Sequence, residues 1–169
     1  IKPGGLVVPH DLVDFTKSRL STFYDDEPVT HVDVSQIFCP EIRSLLIETA
    51  KRIGVRVVNR AVLVCTEGPR LETPAEIRMF GRMGCDVVGM TAMPEAVLAR
   101  ELEMCYATVC FVTNMAAGMQ KRLTAEELVK VAKKTAPLLQ QVLRETVRHL
   151  PKKRRCPCAH ALERARFRG

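Results

Sequence analysis

The sequence contains no tryptophan, and aromatic residues make up only 5% of its 169 residues. An aliphatic core is therefore expected. No run approaches the roughly 18 consecutive apolar residues that a membrane-spanning helix needs, and no charged leader precedes an apolar segment at the start of the chain. Internal repeats and low-complexity linkers are also lacking. These absences predict a soluble, cytoplasmic protein with no signal peptide and no membrane partner.

What is present is typical of one globular domain, because 47% of the residues are hydrophobic and the length suits a single core. We place that domain at residues 1–150 and a basic, cysteine-containing tail at residues 151–169. The tail carries seven Lys or Arg against one Glu, which accounts for +6 of the net charge of +7. Basic tails can bind nucleic acid. Since no aromatic platform accompanies the charge, we expect a solvated tail and no nucleic-acid partner.

Cysteine is abundant, with seven residues. Cys156-Pro157-Cys158, followed by His160, raises the question of a metal site. Structural zinc sites usually combine a C-x2-C pair with a second, distant pair of ligands, and this spacing departs from that pattern. The spacing therefore favours a CxC disulfide or simple thiols over zinc, and we predict no metal site.

Apolar and polar residues alternate in a way that predicts an α/β fold, a sheet covered by helices. Predicted strands lie at 5–9, 55–65, 86–90 and 106–113, and predicted helices at 40–54, 76–84, 94–104 and 124–149. Pro137 falls inside the last helix and is expected to kink it.

The segment TEGPRLETPAE, residues 66–76, connects a predicted strand to a predicted helix. Its Gly-Pro pair favours a turn. Thr73-Pro74-Ala75-Glu76 predicts a helix start with a capping box. The connection then holds three further charged residues: Glu67, Arg70 and Glu72. Such connections are where open α/β proteins bind small ligands.

Polar residues also follow the two later strands, namely Thr91 and Asn114. If the strands are parallel, their carboxyl ends share one edge, and Glu72, Thr91 and Asn114 meet in one cleft. Each has an ordinary structural interpretation too, as a residue near a helix start, an N-cap and a turn former. Chance placement of all three at one edge is less common, so the set favours a ligand site.

Two stretches make the sequence recognisable: EGPRLETPAEIRMFGRMGCDVVGMTAMPEAVLARE and VTNMAAG. They closely resemble the purine nucleoside phosphorylase and methylthioadenosine phosphorylase family, and the resemblance covers almost the whole chain. It implies a phosphorylase/hydrolase-like mixed sheet flanked by helices, and a homotrimer or hexamer. It implies no cofactor, with a purine nucleoside and phosphate as substrates. Residues 1–150 correspond to the C-terminal two-thirds of the family domain. The N-terminal third, which holds most phosphate contacts, is missing, so the activity of this chain by itself is left open.

The resemblance also assigns roles to individual residues. Met90 packs on the ribose, and Thr91 donates its hydroxyl to phosphate. Leu71 stands where relatives often stack a Phe on the base. Glu72 and Asn114 fall on the catalytic, base-reading positions.

The chemistry of these last two residues indicates which base is bound. A 6-oxopurine offers an N1–H to the Glu72 carboxylate and an O6 to the Asn114 amide, whose oxygen can meet N7–H. A 6-aminopurine leaves Glu72 without a ring proton to accept, which is costly in a buried site. Adenine-preferring relatives carry Asp-x-Asp where this chain has Asn114-Met115-Ala116, and a small hydroxyl residue in place of Glu72. Both differences favour hypoxanthine or guanine.

The 5′ end of the sugar is less well specified. Ala125 matches a position where relatives that use ordinary ribonucleosides often place a His, and a small apolar residue there suits a methylthio group. Ala125 is equally an ordinary residue of a first helical turn. By resemblance, His31 reaches the 5′ pocket of a neighbouring subunit.

We therefore predict a purine nucleoside phosphorylase, a pentosyltransferase that cleaves inosine, guanosine or S-methyl-5′-thioinosine with phosphate. The alternatives are an S-methyl-5′-thioadenosine phosphorylase, or an inactive fragment that acts as a basic interaction protein. Resemblance to thermophilic members further implies disulfides that tie the tail to the sheet. The cysteines implied in them are Cys156 with Cys158, and the candidates Cys39, Cys105 and Cys110. The two ordinary thiols are then Cys65 and Cys85.

Overall fold

The structure, a computed structural model, describes residues 1–26, 29–121 and 124–166. The end of the predicted tail, residues 167–169, lies outside these ranges. The described residues form the expected α/β fold. The strands are β1 (Leu6–Val7), β2 (Asp11–Phe15), β3 (Val57–Val58), β4 (Val62–Thr66), β5 (Val87–Gly89) and β6 (Cys110–Phe111). The helices are α1 (Pro40–Arg52), α2 (Pro74–Arg82), α3 (Ala92–Glu101) and α4 (Ala125–Arg148), with a 3-10 helix at Pro157–His160. None of the described helices is long and apolar enough to cross a membrane.

The strands form two three-stranded sheets, in the orders β3-β1-β6 and β2-β4-β5. Leu6 pairs with Val57, and Asp11 pairs with Val62. The two residues of each pair are the same number of positions apart in sequence, so the parallel ladders β1–β3 and β2–β4 share one register. Between the strands, the Val8 N–H donates to the Val58 carbonyl at 2.8 Å. Pro9 then interrupts the ladder because it has no N–H to donate.

This arrangement corrects the extents of two predicted strands and the pairing of one of them. The predicted strand 55–65 is divided into β3 and β4, and the predicted strand 106–113 shortens to β6. Strand β6 pairs antiparallel with β1, so it is not a parallel neighbour of β4 and β5. The sequence analysis also missed β2, because Asp11 and Asp14 interrupt its apolar residues.

The predicted helices are confirmed to within a few residues. Thr73 and Glu76 form the reciprocal capping box at the start of α2. In α3 the backbone of Met93 is non-helical, with φ −112° and ψ 135°, so the regular helix starts at Pro94. Helix α4 includes Pro137 and continues to Arg148.

The core is aliphatic, as the scarcity of aromatic residues requires. Its largest cluster joins strand β1 to helices α1 and α4 and contains Leu6, Val8, Leu46, Ala50, Val55 and Val142. A second cluster lies where β4 meets α3, around Cys65 and Met93. The second cluster fixes the carboxyl end of β4, from which the candidate site is built.

Candidate functional site

A cavity of about 600 Å³ lies between helix α2, strand β5 and the segment that contains β6 and the following loop. Five of the residues singled out in the sequence line it: Leu71, Glu72, Met90, Asn114 and Ala116. Asn114 reaches the cavity although its strand is not parallel to β4 and β5. The walls are otherwise largely apolar, and include Phe80 and Val88. An apolar cavity with a few converging polar groups is typical of a site for a small molecule.

Three predicted site residues do not line this cavity. Thr91 follows the lining residue Met90 and is exposed at the N-cap of α3, where its side chain makes no capping bond. Ala125 is exposed at the first position of α4. His31 is exposed, and its backbone N–H donates to the Ala165 carbonyl at 2.8 Å. Their roles toward phosphate and the 5′ group remain predictions.

Glu72 is held by a residue that the sequence analysis did not single out. The Thr66 hydroxyl donates to the Glu72 Oε1 at 2.7 Å and lies 3.4 Å from the Gly89 carbonyl oxygen. Thr66 is the last residue of β4, so a single hydroxyl links the ends of two parallel strands to the carboxylate. The sequence does contain one signal for Thr66, because its hydroxyl ends an apolar strand immediately before the charged loop.

Asn114 is held in a similar way by its neighbour. The Thr113 hydroxyl donates to the Asn114 Oδ1 at 2.8 Å. The loop that follows packs on the first turn of α2, since a Cβ on Gly118 would lie 2.9 Å from the Cβ of Pro74. Gly118 has φ +81°, a conformation that glycine adopts without strain. The loop that carries Asn114 and the connection that carries Glu72 are therefore packed against one another.

The other charged residues of segment 66–76 hold the loop itself. Arg70 pairs with both oxygens of Glu76, at 2.8 and 2.6 Å. Hydrogen bonds from the Arg70 guanidinium lower the pKa of Glu76 from 4.5 to about 2. Glu67 accepts from the Lys17 backbone N–H at 2.7 Å. Arg70 and Glu67 thus stabilise the connection, while Glu72 faces the cavity.

Arg19 links the carboxyl ends of β4 and β5 through hydrogen bonds. Its guanidinium donates to backbone carbonyls of Glu67 at 2.8 Å and Met90 at 2.6 Å, and to those of Thr66 and Met93. Arg19 lies in a stretch without helical or strand periodicity, so nothing local in the sequence pointed to this role.

Gly68 allows Met90 to reach the cavity wall. The residue has φ +68°, and a Cβ added to it would lie 2.6 Å from the Met90 Sδ. Any side chain at position 68 would therefore displace the sulfur of a cavity-lining residue.

A second cluster of reactive groups lies outside this cavity. The Sγ atoms of Cys39, Cys105, Cys156 and Cys158 all lie within 4.8 Å of one another. Burial raises the pKa values of Cys39 and Cys158 to about 11. All seven cysteines are among the described residues and are free thiols. The implied disulfides are therefore not seen, and the candidate Cys110 lines the cavity instead.

Comparisons with known proteins show which family the chain resembles. Residues 1–148 match the model of the phosphorylase superfamily. The chain is 50% identical over 165 residues to a probable S-methyl-5′-thioinosine phosphorylase of Methanopyrus kandleri, covering 97% of this chain and 64% of that protein. It is 49% identical over 173 residues to the 6-oxopurine nucleoside phosphorylase of Pyrococcus furiosus, covering 98% and 65%.

Among solved structures, the chain is similar to a methylthioadenosine phosphorylase from an antarctic soil metagenomic library. The TM-score is 0.91 at 33% identity, covering 98% of this chain and 60% of that one. The chain therefore spans less than two thirds of the length of these relatives.

Proposed function

The chain belongs to the phosphorylase superfamily, and on this premise we propose that it serves the phosphorolysis of 6-oxopurine nucleosides. The products are the free base and ribose-1-phosphate, or 5-methylthioribose-1-phosphate when the nucleoside is S-methyl-5′-thioinosine. The names of the relatives from Methanopyrus and Pyrococcus support this substrate class.

The observation that carries the proposal is the placement of Glu72 and Asn114 on one cavity. The Glu72 carboxylate accepts the N1–H of hypoxanthine or guanine, and the Asn114 amide donates to O6. The bond from Thr66 leaves Glu72 an acceptor, since a hydroxyl satisfies only part of the lone pairs of a carboxylate. Adenine has a bare N1 and a donor at position 6, so the same two groups disfavour it.

In the reaction, a phosphate oxygen forms a bond to C1′ while the bond from C1′ to the purine N9 breaks. The electron pair of that bond goes to the departing base. N7 takes up a proton from solvent, which balances the proton that hydrogen phosphate loses as it becomes the sugar phosphate. Hydrogen bonds that strengthen as the base gains charge lower the barrier more than bonds made equally in the ground state. Asn114 is proposed to supply them at O6 and N7, and Thr91 to bond the phosphate.

Apolar residues of the cavity are proposed to complete the nucleoside site. Leu71 and Met90, both lining it, contact the base and the ribose. Ala116 leaves room where adenine-preferring relatives carry an acid. Ala125 and His31 are proposed to act at the 5′ group, with His31 serving a neighbouring subunit of a homotrimer or hexamer.

The test compares three nucleosides and the bases they release. We expect phosphate-dependent release of hypoxanthine from inosine and S-methyl-5′-thioinosine, and much slower release of adenine from S-methyl-5′-thioadenosine. Calorimetry with the free bases accompanies the assay, because base binding depends on the cavity rather than on the phosphate contacts. We expect hypoxanthine and guanine to bind more tightly than adenine.

Either of two results would contradict the proposal. Preference for S-methyl-5′-thioadenosine together with tighter adenine binding would favour the adenosine-type activity named for the antarctic soil structure. Failure to bind any purine would favour the basic interaction protein. The ratio of rates on inosine and S-methyl-5′-thioinosine decides the 5′ preference.

A further inference from the structure

Four thiols that are far apart in sequence meet at one point of the fold. Cys39 precedes helix α1, Cys105 lies between α3 and β6, and Cys156 and Cys158 belong to the C-terminal tail. We propose that these four cysteines bind one Zn²⁺ ion, as a structural tetrathiolate site that ties the tail to the domain.

The distances suit a tetrahedral ion. A zinc ion bonds thiolate sulfur at about 2.3 Å, which places the corners of its tetrahedron about 3.8 Å apart. The four sulfurs lie within 4.8 Å of one another, and those of Cys105 and Cys156 are 3.3 Å apart. Small rotations of the side chains therefore bring all four to a common centre. Four sulfur ligands in a tetrahedron are typical of structural zinc.

One of the sulfurs lies at a helix start. Cys39 is the N-cap residue of α1, whose first N–H groups have no partner within the helix. Such a position stabilises a metal-bound thiolate by partly compensating its charge.

The charge around the cluster also fits. A zinc ion with four thiolates carries a net charge of −2, and the run Lys152-Lys153-Arg154-Arg155 immediately precedes Cys156. The Arg154 side chain donates to the carbonyl of Glu103, two residues before Cys105, at 2.6 Å. On helix α1, Glu41 accepts from the Arg155 backbone N–H at 3.2 Å. The cationic run thus lies beside the site where a dianionic centre would form.

The tail buries few side chains against the domain. Between residues 151 and 166 only Cys156, Cys158 and Ala165 are buried, and the one helix is a single 3-10 turn. Cys156 and Cys158 pack with Cys39 in a small buried cluster, and Ile42 and Cys105 lie beside it. Burying so few small side chains stabilises a segment of this length only weakly, whereas coordinate bonds to a metal contribute directly to folding.

Zinc binding and disulfide formation differ in their chemical balance. Zinc displaces four S–H protons to solvent and leaves every sulfur reduced. Disulfides between the same residues would remove two electrons for each bond and require an oxidant. The two outcomes can therefore be separated by counting metal and thiols on the same sample.

The experiment uses the chain purified under reducing, oxygen-free conditions. We expect one zinc per chain by elemental analysis, and seven reactive thiols after denaturation with a chelator. The metal-free, reduced chain is then titrated with Co²⁺. We expect the intense charge-transfer and red d–d bands of a tetrahedral cobalt thiolate, which saturate at one ion per chain and vanish when Zn²⁺ is added.

Variants identify the ligands. Cys39→Ser and Cys158→Ser are expected to weaken zinc binding at least tenfold and to alter the cobalt bands. Cys85→Ser, at a partly buried cysteine outside the cluster, should bind as the wild type does. Two results overturn the proposal: a reduced wild-type chain that gives no thiolate–cobalt bands, or one in which Cys85→Ser abolishes them. The cobalt titration of the wild type decides the matter even if a variant fails to fold.

Discussion

The cavity and the thiol cluster are held together in different ways. In the cavity, Glu72 is bonded by Thr66 and Asn114 by Thr113, so each side chain is positioned by a residue close to it in sequence. In the cluster, the sulfurs come from positions between 39 and 158, and nothing local places them together. The cavity therefore depends on the ends of strands and their loops, whereas the cluster depends on the attachment of the tail. Changes in one region should leave the other largely intact.

The largest expected effect comes from metal removal. At a free zinc concentration about 1,000 times the dissociation constant, a site present only in the folded chain adds about 4 kcal/mol to the free energy of unfolding. Chelation of the reduced chain should remove this amount and lower the urea midpoint accordingly. Because the cluster lies outside the cavity, the ratio of hypoxanthine to adenine affinity should stay the same.

The control for this experiment is again Cys85→Ser, which should lose the same stability on chelation. Cys158→Ser should lose less stability on chelation than the wild type does. Equal urea midpoints with and without zinc in the wild type would mean that contacts other than zinc hold the tail to the domain.

The contrast also explains what sequence reasoning could reach. The loop with Glu72 was found because its turn residues, capping box and preceding strand are all local signals, and the strand end and the capping box are confirmed. The Cys156-x-Cys158 spacing led to a prediction of no metal site, and by itself it does not show that Cys39 and Cys105 lie beside this pair. Arg19 was missed for the same reason, since its four carbonyl partners lie on other segments.

The prediction that strands 55–65, 86–90 and 106–113 deliver residues to one edge was correct in part. Strands β4 and β5 are parallel neighbours, but β6 pairs antiparallel with β1 in the other sheet. Asn114 nevertheless lines the cavity, because the loop after β6 packs on α2 through Gly118. Pairing partners depend on contacts between distant segments, which the period of a single strand does not encode.

The next largest effect tests the cavity. Asn114→Asp should favour 6-aminopurines, because a carboxylate accepts from an amino group and repels O6. We expect the difference in binding free energy between hypoxanthine and adenine to shift by about 2–3 kcal/mol toward adenine, measured by calorimetry. The Thr113 hydroxyl can donate to either side chain, so the local geometry is kept.

Glu72→Ser should shift the ratio in the same direction. The double variant should shift it by less than the sum of the two, since both residues contact one ring. An unchanged ratio in Asn114→Asp would show that Asn114 does not contact the base. Zinc content should be the same in all these variants, which keeps the comparison between regions intact.

A smaller effect is expected from Gly68→Ala. Its φ of +68° disfavours a side chain, and the added Cβ would lie 2.6 Å from the Met90 Sδ. The backbone strain should reduce the free energy of unfolding by about 1–2 kcal/mol, and the displaced Met90 should weaken purine binding. Gly81→Ala is the matched control, because that helical glycine has nothing within 4 Å and alanine there should stabilise α2 by about 0.5–1 kcal/mol. Equal stability of the two variants would contradict this account of Gly68.

The smallest effect concerns the surface pair that anchors the loop, Arg70 with Glu76, and it depends on pH. The folded chain lowers the pKa of Glu76 from 4.5 to about 2, chiefly through hydrogen bonds from Arg70. The pair therefore stabilises the fold above pH 4.5, and this contribution is lost as the pH falls toward 2. Glu76→Gln keeps the capping box, which accepts Gln as well as Glu, but lacks the charge. The difference in unfolding free energy between wild type and Glu76→Gln should thus be present at pH 6, shrink between pH 4.5 and 2, and weaken in high salt. The same comparison is then made between Arg70→Gln and the double variant Arg70→Gln/Glu76→Gln, whose difference in unfolding free energy should depend much less on pH. If that difference keeps its pH dependence, the lowered pKa of Glu76 comes from the helix start and not from the ion pair.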